Sequence, residues 1–148
     1  MDANREAPAF AEHEIYIEAQ PAAVWALLSD IDGWTSWQSD IAWAKLSGPL
    51  APGSTFKWKS GRTGVSSTLQ EVEPPHRLAW TGVAAGARAK HVWVIESQGS
   101  GTLVRTQESF EGLVVVLLRS SMQRLLDSSL QAALAALREA AEAGPPRA

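Results

Sequence analysis

The sequence lacks cysteine and has few of the residues that common catalytic motifs require. Its 148 residues include no cysteine, one tyrosine and three phenylalanines. The absence of cysteine excludes disulfide bonds, thiolate metal sites and a cysteine nucleophile. The three histidines, His13, His76 and His91, are too widely spaced for a zinc-hydrolase helix, and no serine-hydrolase elbow or phosphate-binding glycine loop is present. We therefore expect no metal ion and no cofactor.

An excess of positive charge and long apolar runs are missing too. Thirteen Lys and Arg residues oppose sixteen Asp and Glu residues, which gives a formal net charge of −3. This balance disfavours binding to nucleic acid or to anionic lipid. No segment reaches the roughly 18 apolar residues of a membrane-spanning helix, and residues 1–8 are too polar for a signal peptide. We expect a cytoplasmic protein that does not bind nucleic acid and does not insert into a membrane.

Seven tryptophans stand out against this composition. Tryptophan is large and is seldom scattered at random, so the excess predicts either an aromatic core or an aromatic-lined cavity. The length and an apolar content of 45% suffice for one hydrophobic core. Unpatterned polar residues at both ends predict a single domain over residues 11–143, with flexible tails at 1–10 and 144–148.

Hydrophobic periodicity predicts a strand and two short helices near the N-terminus. Residues 13–19 alternate, with Ile15 and Ile17 on one face, as in a half-buried strand. Pro21 favours the start of a helix at residue 21, and residues 32–33 are predicted to end that helix. Trp34 and Trp37 follow three residues apart, which places both rings on the same side of a second short helix.

The rest of the chain predicts six strands and one long helix. From Ile41 to Glu111, alternating segments are separated by hairpin-length turns, which favours antiparallel pairing. A helix of roughly 45 Å is predicted from Leu113 to Ala143. Residues at three- and four-residue steps form its apolar stripe: Leu118, Met122, Leu125, Leu126, Ser129, Leu130, Ala133, Leu134 and Leu137. This order of elements predicts an α+β fold in which a curved antiparallel sheet of about seven strands wraps around the long C-terminal helix.

Several stretches spread over residues 12–143 resemble one known family. They are PAAVW at 21–25, GWTSW at 33–37, LAPGSTFKW at 50–58, EVEPPHRLAW at 71–80, HVW at 91–93, GT at 101–102 and ESFEG at 108–112. The chain resembles the START-like, or SRPBCC, superfamily and within it the polyketide cyclase/dehydrase group. The resemblance implies the Bet v 1-like helix-grip fold, with a cavity between sheet and helix. Hormone receptors, lipid and quinone carriers, chaperone activators and aromatic-ring cyclases share this fold, so the fold alone does not fix the function.

Strand alternation places one polar pair on the concave face of the predicted sheet. With a turn over residues 98–101, His91 lies opposite Glu108, and a turn at residues 85–86 places Trp80 beside His91. A carboxylate beside an imidazole is expected to raise the imidazole pKa, which favours general acid or base catalysis by His91 and Glu108. The alternative is a structural polar pair that fixes the strand register, and the sequence favours this alternative.

The residues expected to line the cavity are mainly aromatic or apolar. They are Trp34, Trp37, Trp58, Trp80, Trp93, Thr106, Phe110, Met122 and Leu126. Trp34 and Trp37 are predicted to form either a lid over the cavity or plugs in the core. For Trp58, Trp80 and Trp93, core packing is favoured over direct ligand contact.

These residues lead to three functional hypotheses. The first is binding of a small hydrophobic or aromatic molecule without covalent chemistry. The second is a polyketide cyclase or dehydratase that uses His91 and Glu108, although cyclases of the family are often credited with a cavity arginine that this sequence does not place inside. The third is a protein-binding module similar to the chaperone activators. Ligand binding is favoured, and a homodimer stays open.

Overall fold

The computed structural model describes residues 1–144 and has an α+β architecture. The strands are β1 (Ala9–Ile17), β2 (Ile41–Ser47), β3 (Thr55–Ser60), β4 (Thr63–Glu73), β5 (Arg77–Ala84), β6 (Ala87–Gln98) and β7 (Gly101–Glu111). The helices are α1 (Pro21–Ser29), a 3-10 helix (Ile31–Ser36), α2 (Leu113–Leu117) and α3 (Arg119–Ala143). No helix within residues 1–144 combines the length and the apolar character needed to cross a bilayer.

The seven strands form one antiparallel sheet in the order β1-β7-β6-β5-β4-β3-β2. Helix α3 lies on the concave side, where it contacts β1 most extensively. This arrangement confirms the predicted helix-grip architecture. Successive residues of a strand face opposite sides of a sheet, so the concave face of β6 carries His91, Trp93 and Ile95, which are all buried.

The two helices after β1 confirm the predicted order but not the predicted boundary. Helix α1 begins at Pro21 as expected, because proline in the first turn gives up no intrahelical hydrogen bond. It ends at Ser29 and not at residues 32–33, which belong to the 3-10 helix. The carboxylate of Asp32 accepts hydrogen bonds from the Leu46 backbone N–H (2.7 Å) and from Lys45 Nζ (3.0 Å). The 3-10 helix is thereby held against β2.

The predicted C-terminal helix is divided at Leu118. The backbone of Leu118 has φ −113° and ψ 33°, which separates α2 from α3 and shortens the long helix to 25 residues, or about 38 Å. The buried residues of α3 are Leu126, Leu130, Leu134, Leu137 and Ala141. The predicted stripe was wrong at Leu118, Leu125 and Ser129, which are exposed. The stripe is therefore fully buried only from Leu126 onward, while Met122 is half-buried.

The N-terminal residues contact the convex side of the sheet. The amino group of Met1 pairs with Glu71, and Asn4 donates from Nδ2 to Glu111 (2.9 Å). The backbone N–H of Asn4 donates to Ser109 Oγ (3.0 Å). Residues 9–10, which were assigned to a flexible tail, instead pair with β7 as the first residues of β1. At the other end Gly144 ends α3, and the remainder of the predicted C-terminal tail, residues 145–148, lies outside the described residues.

Candidate functional site

The concave face carries the row of side chains that strand alternation predicts. Trp80 pairs with His91 across β5 and β6, and His91 pairs with Glu108 across β6 and β7. His91 Nδ1 lies 3.4 Å from Glu108 Oε2, and the two side chains are 9% and 12% exposed. The predicted contact is therefore present in the interior. Its separation is longer than a formed hydrogen bond.

Thr106 determines which nitrogen of His91 carries the proton. The Thr106 hydroxyl donates its single proton to the Val92 carbonyl oxygen (3.1 Å), so it acts as an acceptor for His91 Nε2, 2.9 Å away. A neutral His91 therefore has its proton on Nε2. Its Nδ1 lone pair faces the carboxyl group of Glu108.

Burial shifts the two titratable groups in opposite directions. Removal from water lowers the pKa of His91 to about 3 and raises the pKa of Glu108 to about 8. At neutral pH the pair consists of a neutral imidazole and a neutral carboxylic acid. The expected rise in the imidazole pKa is thus reversed by burial, and the neighbouring carboxyl group, being protonated, supplies no negative charge to oppose it.

Two aromatic rings enclose the imidazole of His91. The ring centroid of Trp80 lies 4.7 Å from that of His91. The ring of Trp93 stacks on the imidazole, with 5.4 Å between the centroids. Within residues 1–144, the buried atoms Trp93 Nε1 and His91 Nδ1 have no hydrogen-bond partner. The Nε1–H group of Trp93 is therefore a buried hydrogen-bond donor without an acceptor. Such an unpaired buried donor is costly in a folded protein.

Trp34 is a core plug and does not form a lid. It is 2% exposed, and its indole Nε1 donates to the Leu28 carbonyl oxygen (2.9 Å). Its ring packs against Phe56, Trp58 and Trp80, with centroid distances of 5.5, 5.7 and 5.4 Å. These contacts fill the concave face on the side of β3 to β5.

The other tryptophans near this cluster are less enclosed. Trp37 and Trp58 are half-buried against the same core. Trp58 Nε1 donates to Ser67 Oγ (3.1 Å), so its indole is already satisfied. Trp93 differs from Trp34 and Trp58 in having a buried indole nitrogen with no acceptor.

The remaining predicted lining residues belong to a second apolar cluster. Phe110, Met122 and Leu126 pack there together with Val115 of α2 and Ala11 of β1. Because Ala11 pairs with Glu108 in the sheet, Glu108 stands between this cluster and the tryptophan-rich one. The interior is thus divided into two apolar parts with the His91–Glu108 pair between them.

Sequence reasoning missed a polar link between β1 and α3. His13 Nε2 lies 2.8 Å from Asp127 Oδ1, and Gln123 Nε2 donates to the second carboxylate oxygen (3.1 Å). The hydrogen bond from His13 is the main reason that the pKa of Asp127 is lowered. The alternation of His13 with Ile15 was the available signal, since it places both residues on the concave face.

Two surface depressions lie away from this row. One, of about 500 Å³, is lined by Gly64 and by residues 83–88 around the turn between β5 and β6. The other, of about 480 Å³, lies along β3 to β6 and includes Lys57, Arg88 and Lys90. Among residues 1–144, no group of three metal-binding side chains is present.

Comparison with known proteins identifies the family. The model of the family described as "Polyketide cyclase / dehydrase and lipid transport" matches residues 9–142. The chain belongs to this family. Among curated proteins, none is significantly similar in sequence.

Solved structures share the fold at low sequence identity. A hypothetical protein of Helicobacter pylori is 22% identical, with a TM-score of 0.82, and the alignment covers 95% of this chain and 97% of that one. A START superfamily protein of Mycobacterium smegmatis is 12% identical, with a TM-score of 0.78 and coverage of 90% and 97%. The di-domain ARO/CYC protein BexL of the BE-7585A biosynthetic pathway is 16% identical, with a TM-score of 0.76 and coverage of 92% of this chain and 50% of that one. These similarities establish the helix-grip fold.

Proposed function

We propose that the protein binds a small hydrophobic or aromatic molecule between the sheet and α3. We further propose that the ligand carries an oxygen that accepts a hydrogen bond from Trp93 Nε1–H. The vacant indole donor in an otherwise aromatic interior is the observation that carries this proposal. The family description, which includes lipid transport, supports binding of an apolar molecule. The cytoplasmic location stays a prediction, and a homodimer stays open.

The surroundings of the donor define the ligand more closely. Trp80 and Trp93 present flat apolar surfaces, which favour a planar ring system. His91 Nδ1 and the protonated carboxyl group of Glu108 add one acceptor and one donor. A quinone or an aromatic ketone combines the flat ring with the carbonyl oxygen that this set of groups can bind.

A matched pair of ligands tests the proposal. Anthracene and anthraquinone have the same ring framework, but the quinone adds two carbonyl oxygens. Leaving the buried donor unpaired costs about 1–3 kcal/mol, so tryptophan fluorescence titration should show anthraquinone binding about 5- to 150-fold more tightly. The Trp93→Phe variant should lose the part of this preference that Trp93 supplies and keep only what the Glu108 donor contributes. Trp43→Phe, at an indole that is 46% exposed, is the control and should retain the preference.

A wider panel of fatty acids, quinones and polycyclic aromatics extends the test. If no member of the panel changes the tryptophan emission, the ligand-binding proposal is wrong and the protein-partner hypothesis takes its place. Equal affinity of native protein for anthracene and anthraquinone would refute the role of Trp93 while leaving apolar binding intact.

The protonation states of His91 and Glu108 favour one enzymatic alternative, a cyclase or dehydratase. Near neutral pH Glu108 holds a proton and His91 Nδ1 holds a lone pair. In a dehydration, His91 would take a proton from carbon while Glu108 protonates the departing hydroxyl group, which leaves as water. Proton transfer from His91 to Glu108 across their 3.4 Å contact would restore both groups.

Product analysis by mass spectrometry separates this alternative from binding alone. If the protein is an enzyme, Glu108→Gln should still bind the ligand, and turnover should fall by about 10²- to 10⁴-fold. Recovery of every bound ligand unchanged by native protein would reject catalysis.

A further inference from the structure

Five large apolar side chains are exposed together where β7 leads into the C-terminal helices. We call this surface the α2 patch, and it consists of Leu113 (73% exposed), Val116 (54%), Leu117 (72%), Leu118 (49%) and Leu125 (53%). Single exposed leucines are common on protein surfaces, whereas a contiguous apolar patch marks an interaction site. Helix α2 buries only Val115 fully, so the other side of α2, the break at Leu118 and Leu125 of α3 are left uncovered.

The two charged residues within the segment that carries the α2 patch are both positive. Residues 112–126 contain Arg119 and Arg124 and no carboxylate. Among residues 1–144 neither arginine forms an ion pair. Arg119 Nε donates to the Pro8 carbonyl oxygen (3.1 Å), and Arg124 contacts Ser121 Oγ at 3.5 Å. Glu111, the carboxylate just before this segment, accepts a hydrogen bond from Asn4 Nδ2.

The rest of α3 has the opposite balance. Residues 127–143 contain Asp127, Glu139 and Glu142 against one arginine, Arg138. Residues 112–143 as a whole carry three arginines and three carboxylates, so their charges cancel, but they are divided into a basic, apolar end and an acidic half. A partner that meets only this end encounters cations and leucines.

Two occupants are possible for such a surface, and the charges distinguish them. A second copy of the chain, related by a two-fold axis, would set one α2 patch against another, and residues 112–126 of that copy supply two more arginines and no carboxylate to pair with Arg119 and Arg124. An anionic bilayer supplies both an apolar layer and negative headgroups. We propose that the α2 patch docks on the surface of an anionic lipid bilayer, with its leucines in the interfacial layer and Arg119 and Arg124 at the phosphates.

This docking would place the second apolar cluster close to the bilayer. Val115 of α2 is fully buried in that cluster, and Met122 of α3 is half-buried against it. The end of the interior that α2 closes would thus face the lipid. The proposal does not depend on the interior ligand, because it rests on exposed residues and their charges.

Vesicle co-sedimentation tests the proposal directly. Native protein should bind vesicles of phosphatidylcholine mixed with phosphatidylglycerol, bind pure phosphatidylcholine vesicles more weakly, and dissociate as salt is added. Leu117→Ser should weaken binding by about tenfold or more, since part of a leucine side chain leaves the lipid. Arg124→Gln should weaken it about fivefold, the effect of about 1 kcal/mol per interfacial arginine.

Arg138→Gln is the matched control on the acidic half of the same helix, and it should bind like native protein. Leu117 is 72% exposed, so the Leu117→Ser variant should keep the native unfolding midpoint in urea. Failure of native protein to bind the anionic vesicles, or equal loss in Arg138→Gln and Arg124→Gln, would overturn the proposal. A dimer in sedimentation velocity that Leu117→Ser dissociates would also overturn it in favour of a second copy. Vesicle binding without any interior ligand would uphold docking even if the proposed ligand-binding function failed.

Discussion

Replacing Glu108 with glutamine should remove one defined part of the pH dependence of folding stability. Burial raises the pKa of Glu108 from 4.5 to about 8. Between these two pH values the folded chain keeps the proton of Glu108, whereas the unfolded chain loses it. The free energy of unfolding should therefore fall as the pH rises from 4.5 to 8. The slope is up to about 1.4 kcal/mol per pH unit, and the total is at most about 5 kcal/mol.

His91 contributes a slope of the opposite sign at lower pH. Burial lowers its pKa from 6.5 to about 3, so between these values the unfolded chain binds the additional proton and stability rises with pH. The two slopes oppose each other between pH 4.5 and 6.5. The combined contribution of His91 and Glu108 to the free energy of unfolding should therefore be nearly constant in that range and should then fall as the pH approaches 8.

Urea unfolding followed by tryptophan fluorescence measures this effect. The stability of Glu108→Gln minus that of native protein should increase steadily from about pH 5 to pH 8 and then level off, because the contributions of all other groups cancel in the difference. Glu139→Gln, at an exposed position of α3, is the control and should give a constant difference. A constant difference for Glu108→Gln would show that Glu108 is ionised in the folded protein, which would refute the reasoning.

Three further predictions concern packing and the polar row. Leu126→Ala should cost about 2–5 kcal/mol in urea melts because Leu126 is fully buried, whereas Leu125→Ala, at a residue that is 53% exposed, should cost less than about 1 kcal/mol. Thr106→Val should cost about 1–3 kcal/mol, since it removes the acceptor for His91 Nε2–H and leaves that buried donor unpaired, and the same melts will measure it. Trp34→Ala should cost about 3–5 kcal/mol in thermal or urea unfolding, and a loss below about 1 kcal/mol would contradict its role as a plug.

The strand register could be predicted because two independent signals agreed. Alternation assigned His91 and Trp93 to one face, and the short turns at residues 85–86 and 98–101 fixed which residues lie opposite them. A slip of one residue would have turned His91 and Glu108 to the solvent. The predicted pairings of His91 with Trp80 and with Glu108 are both observed.

The break in the C-terminal helix left no periodic signal. Residues 113–118 are all apolar, so neither a helical period nor a polar boundary separates α2 from α3. The contacts of residues 1–4 with the sheet likewise depend on individual polar bonds, such as that of Asn4 with Ser109, and not on a repeated pattern.

The protonation of the polar row could not be predicted from pairing alone. A carboxylate beside an imidazole stabilises the imidazolium, and this effect was the basis of the expected rise in the His91 pKa. Burial has the opposite effect on both groups, and it prevails because Trp80, Trp93 and the neighbouring strands exclude water from the pair. The extent of burial is a tertiary property that strand alternation does not provide.

The hydrogen-bonding state of the Trp93 indole tests the proposed ligand site most directly. Proton–nitrogen correlation spectra resolve indole N–H signals, and the Trp93→Phe variant identifies the one that belongs to Trp93. Addition of anthraquinone should move this signal downfield, as expected for a new hydrogen bond, while anthracene should not produce that downfield change. The indoles of Trp34 and Trp58, which already donate to Leu28 and Ser67, serve as internal references. A Trp93 signal that stays in place when anthraquinone is bound would contradict the proposed site.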